Sequence, residues 1–257
     1  MFLANHIDQF SLDEYNSEFY HNAYGYRSLL SVLINTCQTN FRYSFIRKEL
    51  GSMIYEKTIP VKVLEVGPGL NPLYTKWDIS KNPILYDVIE TDVSARANIV
   101  KYATNIYDSV DQLPSNFYNV IVVYHVLEHI PDVFAFVTKL SAHIAENGII
   151  IFEVPYIDYL RPTKETFFPH LHSFSESSLK SLMSRAFTDS DQVSFYKSGY
   201  YTSKFYFLFR LLDKCLRILP RSTYYKIVRS LNFGFLNPYN INTRSSALWL
   251  TTVVRLS

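Results

Sequence analysis

The chain has 257 residues, of which 48% are hydrophobic and only seven are glycine, and its formal net charge is +2. This composition excludes a disordered chain and provides a core large enough for one domain with an elaborated end. No apolar run is long enough to cross a bilayer, and the start MFLANHIDQF lacks both a basic region and a long apolar region, so a cytoplasmic chain without a signal peptide is expected. Cys37 and Cys215 are too few and too far apart for a disulfide framework or a cysteine metal site, and both are expected in the core or a groove. The small net charge conceals an uneven distribution. Residues 201–231 carry seven bases against Asp213 alone, or +6, which leaves −4 for the rest.

In chain order, residues 24–57 have helical apolar spacing with breaks and no proline, so residues 1–58 are read as a helical segment on the cap or substrate side. The period then changes, and residues 59–257 are read as the main domain. VKVLEV (61–66) is a β-branched strand run before the turn Gly67-Pro68-Gly69, and LYDVIET (85–91), NIVKY (98–102), YNVIVVY (118–124) and GIIIFEV (148–154) repeat the strand pattern. Between the last two lies a helical pattern with Pro131 near its start and Gly148 just past its end. A helix capped by Ser175 follows, then strands at QVSFYK (192–197) and SALWLTTVVRL (246–256), separated by a basic, aromatic-rich insertion at about 198–245. Seven strands alternating with helices predict an α/β domain with a mostly parallel sheet, helices on both faces and a ligand at the carboxyl ends of the strands.

The glycine turn after the first strand suits close approach of backbone to a ligand. A dinucleotide fingerprint would place a third glycine where Pro72 stands, which favours a ligand with a ribose but no pyrophosphate. Asp92, near the end of the second strand in IETDVS, is placed to accept hydrogen bonds from ribose hydroxyls, or to cap a helix.

The stretch LPSNFYNVIVVYHVLEHIPD (113–132), following VLEVGPG and IETDVS in order, resembles the class I S-adenosylmethionine-dependent methyltransferases. FFPHLHSFSESSLKSLMSRAF (167–187) is similar to a segment of the subgroup associated with methylation of bacterial surface sugars and small molecules. The resemblance covers roughly residues 60–190 and the final strand. It implies a Rossmann-like fold, S-adenosylmethionine as cofactor and S-adenosylhomocysteine as product. It also implies that Gly67, Pro68 and Gly69 line the methionine and ribose portion, that Glu65 sits under the amino group, that Asp92 grips the ribose and that His125 emerges beside the methyl group. Two departures stand out. The family's acid after the third strand, which bonds the adenine amine, aligns with Tyr102, so Asn105, Asp108 or backbone must replace it. Too few residues separate Asp92 from NIVKY for the usual intervening helix.

His125 to His129 also match the H-x-x-E-H zinc motif, but a zinc pair at that spacing needs one helix, and here the stretch reads as strand end and turn. His125, His170 and His172 are therefore candidate catalytic bases, suited to deprotonating a hydroxyl near neutral pH. No metal site is expected, because no carboxylate cluster accompanies them. The acceptor expected from the subgroup is a sugar-containing or phosphorylated precursor of a capsule or surface polysaccharide. Another hydroxylated metabolite, or a cofactor-binding scaffold without catalysis, stays open as an alternative. No nucleic-acid partner is expected. Phe207, Leu208, Leu211, Leu212, Cys215, Leu216 and Leu219 recur at helical spacing among Arg210, Lys214 and Arg217, which predicts an amphipathic helix in the basic segment 204–231. Such a helix serves either as a lid or as a surface for anionic lipid or a lipid-linked acceptor at the inner face of the membrane.

Overall fold

The computed structural model describes residues 39, 42–50, 60–69, 72–73, 84–156, 170–189, 191–198, 211–216, 218–220, 223–224, 227 and 249–256. Seven strands form one sheet: β1 (Val61–Val66), β2 (Ile84–Ile89), β3 (Asn105–Tyr107), β4 (Tyr118–Tyr124), β5 (Ile144–Pro155), β6 (Gln192–Ser198) and β7 (Trp249–Arg255). Their order across the sheet is β3-β2-β1-β4-β5-β7-β6; β7 pairs antiparallel with both β5 and β6, and the other pairings are parallel. The order reverses direction between β1 and β4, which leaves a crevice at their carboxyl ends.

Period-two alternation sorts the strand side chains into two cores. Val63, Tyr86, Val88, Val120 and Ile151 face one side, where they meet Phe45, Ile46 and Leu50 of the helix over residues 42–50 (α1) together with Ala95 and Ile99. Leu64, Ile121, Val123, Phe152 and Val254 face the other, against Val137, Leu140, Leu179 and Met183. Because both faces are covered, the central strands read as unbroken apolar runs. The helices on the second face are α3 (Val133–Ser141) and α4 (Glu176–Ala186). Ser175 caps α4, as its position in the sequence predicts, and does so through a reciprocal capping box to Ser178.

Three expectations are corrected. NIVKY is not a strand: Val93–Ile99 form a helix (α2) whose N-cap is Asp92, and β3 begins six residues later at Asn105. The β-branched residues Ile99 and Val100 imitate a strand start, but the Asp92 carboxylate accepts the Ala95 N–H at 2.8 Å and sets a helical first turn. The intervening helix therefore exists. The helix before β5 ends at Ser141 rather than near Gly148. Asn147 takes the left-handed conformation at φ 58°, and Gly148 lies inside β5, where a Cβ would meet Ile144 and the Ala145 carbonyl. Cys215 is exposed, not in a core or groove.

Residues 211–216 are helical (α5), with Leu212 and Leu216 packing inward and Leu211 exposed; Leu219, beyond these residues, is exposed as well. Phe207, Leu208, Arg210, Arg217 and most of the basic segment, together with Cys37 and residues 1–38, lie outside the described residues. No helix among the described residues is long and apolar enough to cross a membrane.

Candidate active site

The turn after β1 is held by backbone geometry. Gly67 and Gly69 have φ of 61° and 55°, and a Cβ on Gly67 would come within 2.8 Å of Val126 Cγ2. The Gly67 N–H donates to the Ile89 carbonyl at 2.8 Å, which ties the turn to the end of β2. Glu90, the next residue, completes the tie: its carboxylate accepts the Gly69 N–H at 2.8 Å and the Asp92 N–H at 2.9 Å. Burial raises the Glu90 pKa, and these amides pull it back in part.

A cavity of about 440 Å³ opens beside this turn, a size suited to a small molecule or cofactor. Among its walls are Gly67, Glu90, Asp108, Val126, Ile130 and Phe136. Glu90 was not anticipated. The available signal was its place directly after the apolar run of β2, whereas Asp92 two residues on is committed to capping. The Asp92 Oδ1 atom accepts from Ala95 N and Ser94 Oγ, while its buried Oδ2 has no hydrogen-bond partner among the described residues. Asn105 begins β3, at the end of that strand away from the crevice, and its amide donates to Asp87 at 3.0 Å. Asp108 instead follows β3 directly and lines the cavity, so relocating β3 places an acid after the third strand once more. The Arg96 guanidinium, hydrogen-bonded and paired to Asp108, lowers its pKa.

Glu65 lies beneath the turn, fully enclosed, accepting the Leu73 N–H at 2.7 Å and the Tyr86 hydroxyl. Burial pushes its carboxyl up to about 7. Pro68 sits between the two glycines, half-buried.

The other side of the crevice is made of charge. His125 directly follows β4 and lies in the left-handed region at φ 57°, a conformation that costs a non-glycine residue about 1–2 kcal/mol. Its Nδ1 stands 3.5 Å from Glu128 Oε1 and its Nε2 3.4 Å from Glu153 Oε1. Burial opposes the imidazolium, but the two carboxylates outweigh it and raise the His125 pKa. Glu153, on β5, has no exposure; burial alone would raise its pKa, yet Arg42 and His125 hold it down to about 2. Arg42 on α1 donates to Glu153 through both Nε, at 3.1 Å, and Nη2, and lies 4.3 Å over the Tyr124 ring. Trp249 meets His125 edge to face, with ring centres 5.8 Å apart.

The other two predicted histidines lie on the segment before α4. The N–H groups of Leu171 and His172 both donate to the Glu128 carbonyl, at 2.7 and 3.1 Å, docking this segment on the turn Leu127–His129. That contact puts His170 against His129, with ring centres 5.0 Å apart, and burial lowers the His170 pKa. His172 Nε2 lies 3.2 Å from the Pro131 carbonyl, which can only accept, so Nε2 carries a proton. His125 and His129 share no helix, as the strand-and-turn reading requires.

The sequence matches the family described as "Methyltransferase domain" over residues 38–186, which is more than half of the chain. The chain belongs to this methyltransferase-domain family. No curated protein matches it. Among solved structures it resembles the plantazolicin methyltransferase BpumL in complex with SAH, with 13% identity, a TM-score of 0.56, and 97% and 91% of the two chains covered. It also resembles phosphoethanolamine N-methyltransferase 2 of Haemonchus contortus, with 9% identity, a TM-score of 0.52, and 90% of this chain against 60% of that one. A third likeness, at 11% identity and a TM-score of 0.53, is to the [4+2]-cyclase SpnF, covering 84% and 80%. At such identities these likenesses establish a Rossmann-like class I methyltransferase fold, on which different reactions are built.

Proposed function

We propose that this methyltransferase-domain protein moves the methyl group of S-adenosylmethionine to a hydroxyl of a sugar-containing acceptor, a precursor of a surface polysaccharide. The observation that carries the cofactor reading is the cavity bounded by the Gly67 turn, the acid after β2 and the acid after β3. In this reading Gly67, Pro68 and Gly69 follow the methionine and ribose portion, with Glu65 beneath the amino group. Glu90 takes the ribose hydroxyls and Asp108 the adenine amine. Asp92 acts from behind by capping α2.

In the reaction the acceptor oxygen bonds to the methyl carbon as the sulfonium bond breaks, leaving neutral S-adenosylhomocysteine. Charge is lost at sulfur, so alignment and removal of the acceptor proton govern the rate. His125 has a carboxylate at each ring nitrogen and serves to position the β4 end. His172, whose Nε2–H is anchored on Pro131, is assigned the role of base, with His170 two residues before it on the same segment. The sugar acceptor is supported by the subgroup resemblance of residues 167–187 and by a sequence that is 16% aromatic, since such rings stack on sugars. The basic segment 204–231 is assigned to a phosphorylated or lipid-linked part of that acceptor at the inner membrane surface, which flotation with anionic vesicles tests directly. Retention at low salt supports the assignment, and an unbound protein refutes it.

The function is tested by mass spectrometry of nucleotide sugars incubated with the protein and labelled S-adenosylmethionine. A gain of one methyl group on a sugar, slowed in His172→Ala, is expected. Methylation of some other metabolite alone refutes the acceptor. Cofactor binding without turnover on any acceptor supports a scaffold role instead.

A further inference from the structure

Glu128 is a carboxylate with 1% of its surface exposed and no hydrogen-bond donor on either side-chain oxygen among the described residues. An ionised group so enclosed is costly without a compensating cation or donors. His125 Nδ1 stands 3.5 Å from Oε1, at ion-pair range but outside hydrogen-bond geometry. The opposite side of the carboxylate is not apolar. One ligating atom each of Glu128, His129 and His170 lies within 4.8 Å of the other two. Donors around a metal at about 2.0–2.1 Å are separated by about 3.3 Å, so rotation of two imidazoles closes the set.

The arrangement is also held in place. Glu128 and His129 belong to one tight turn, and the two backbone hydrogen bonds from Leu171 and His172 to the Glu128 carbonyl fix the segment that carries His170. Two half-buried imidazoles and one buried carboxylate are a borderline donor set, which suits zinc or a neighbouring first-row divalent ion better than magnesium or calcium. Val126 and Ile130, which line the cavity, bracket this turn, so the set borders the proposed reaction space.

We propose that Glu128, His129 and His170 bind one zinc-like divalent cation, and that its open coordination position takes the acceptor oxygen. This departs from the expectation that no metal is bound, and its second clause rests on the methyltransferase reading. Three protein ligands leave a position for an oxygen, whose proton becomes easier to remove there. The acceptor O–H bond then breaks with its proton passing to His172 or water, the O–CH3 bond forms, and the sulfonium S–CH3 bond breaks.

Chelator-treated full-length protein is titrated with Co2+ and followed by its visible absorption, while S-adenosylhomocysteine binding is measured separately by calorimetry. One Co2+ per chain is expected, bound more than about 100-fold more weakly by His170→Ala and by Glu128→Gln. Acetohydroxamate, which needs an open position, is expected to shift the absorption band. If the parent protein binds S-adenosylhomocysteine but no Co2+, the metal site is refuted and the proposed function stands. Undiminished Co2+ binding by both His170→Ala and His129→Ala refutes it equally, and an unshifted band refutes the open position.

Discussion

The two sides of the crevice are built in different ways. On the β1–β2–β3 side, position is set by backbone: two left-handed glycines, an amide bond from Gly67 to Ile89, and acids directly after strand ends. On the β4–β5 side, position is set by a chain of buried charges running from Arg42 through Glu153 and His125 to Glu128. The first kind of construction is local and short-ranged, whereas the second joins residues 111 apart in sequence. A local frame suits a ligand common to a family. A wall of side chains suits a ligand particular to one protein.

The sharpest way to break this contrast is at Arg42. Removing one member of a buried pair leaves the other charge unmatched, so Arg42→Ala is expected to lose about 3–5 kcal/mol of stability in urea unfolding. Adding Glu153→Gln to it is expected to restore much of that loss. A loss below about 1 kcal/mol would show that the charged wall does not hold the fold.

Glu65 gives the backbone side a pH signature. Its folded pKa, about 7, lies above the ordinary value of 4.5, so the folded state holds the proton more tightly than the unfolded chain. The associated stability is fully present below about 4.5 and is lost as pH rises through about 7. The loss is on the order of 3 kcal/mol for the cofactor-free protein. Glu65→Gln is expected to flatten stability across that window, and an unchanged slope contradicts the assignment.

Next in size is the division of labour between neighbouring acids. Glu90→Ala is expected to weaken S-adenosylhomocysteine binding by about 30- to 100-fold, through lost bonds to a charged group. Asp92→Ala is expected to cost about 1 kcal/mol of stability through the cap, with a smaller effect on binding. The reverse ranking would return the ribose to Asp92. The smallest effect belongs to the exposed Asp108, where Asp108→Asn is expected to weaken binding by about three- to tenfold. It should also reduce discrimination against the inosine analogue of the ligand, and unchanged discrimination removes Asp108 from the adenine site.

The same contrast explains what the sequence discloses. VKVLEV, YNVIVVY and SALWLTTVVRL announce their strands by apolar, β-branched runs, and Gly67 and Gly69 announce the turn by the conformations only glycine takes without strain. The NIVKY stretch misleads because its β-branched residues are read without the capping power of Asp92 six residues earlier. That one misplaced strand moves the position just after the third strand from Asp108 to Tyr102. Glu90 is hidden by a neighbour with equal claim in composition, and only the strand end separates them. Arg42 has no local signal at all. A glutamate inside the apolar run GIIIFEV shows that a partner is needed, yet the partner's place depends on how α1 crosses the sheet.

The central claim, that the cavity at the Gly67 turn is the cofactor site, is tested most directly by calorimetric titration of S-adenosylhomocysteine and of NAD into the purified protein and its Gly67→Val variant. One S-adenosylhomocysteine per chain, no NAD, and loss of binding in the variant are expected, because a side chain at φ 61° is strained and its Cβ would press on Val126. Binding of NAD instead, or S-adenosylhomocysteine binding that survives in a folded Gly67→Val protein, would contradict it.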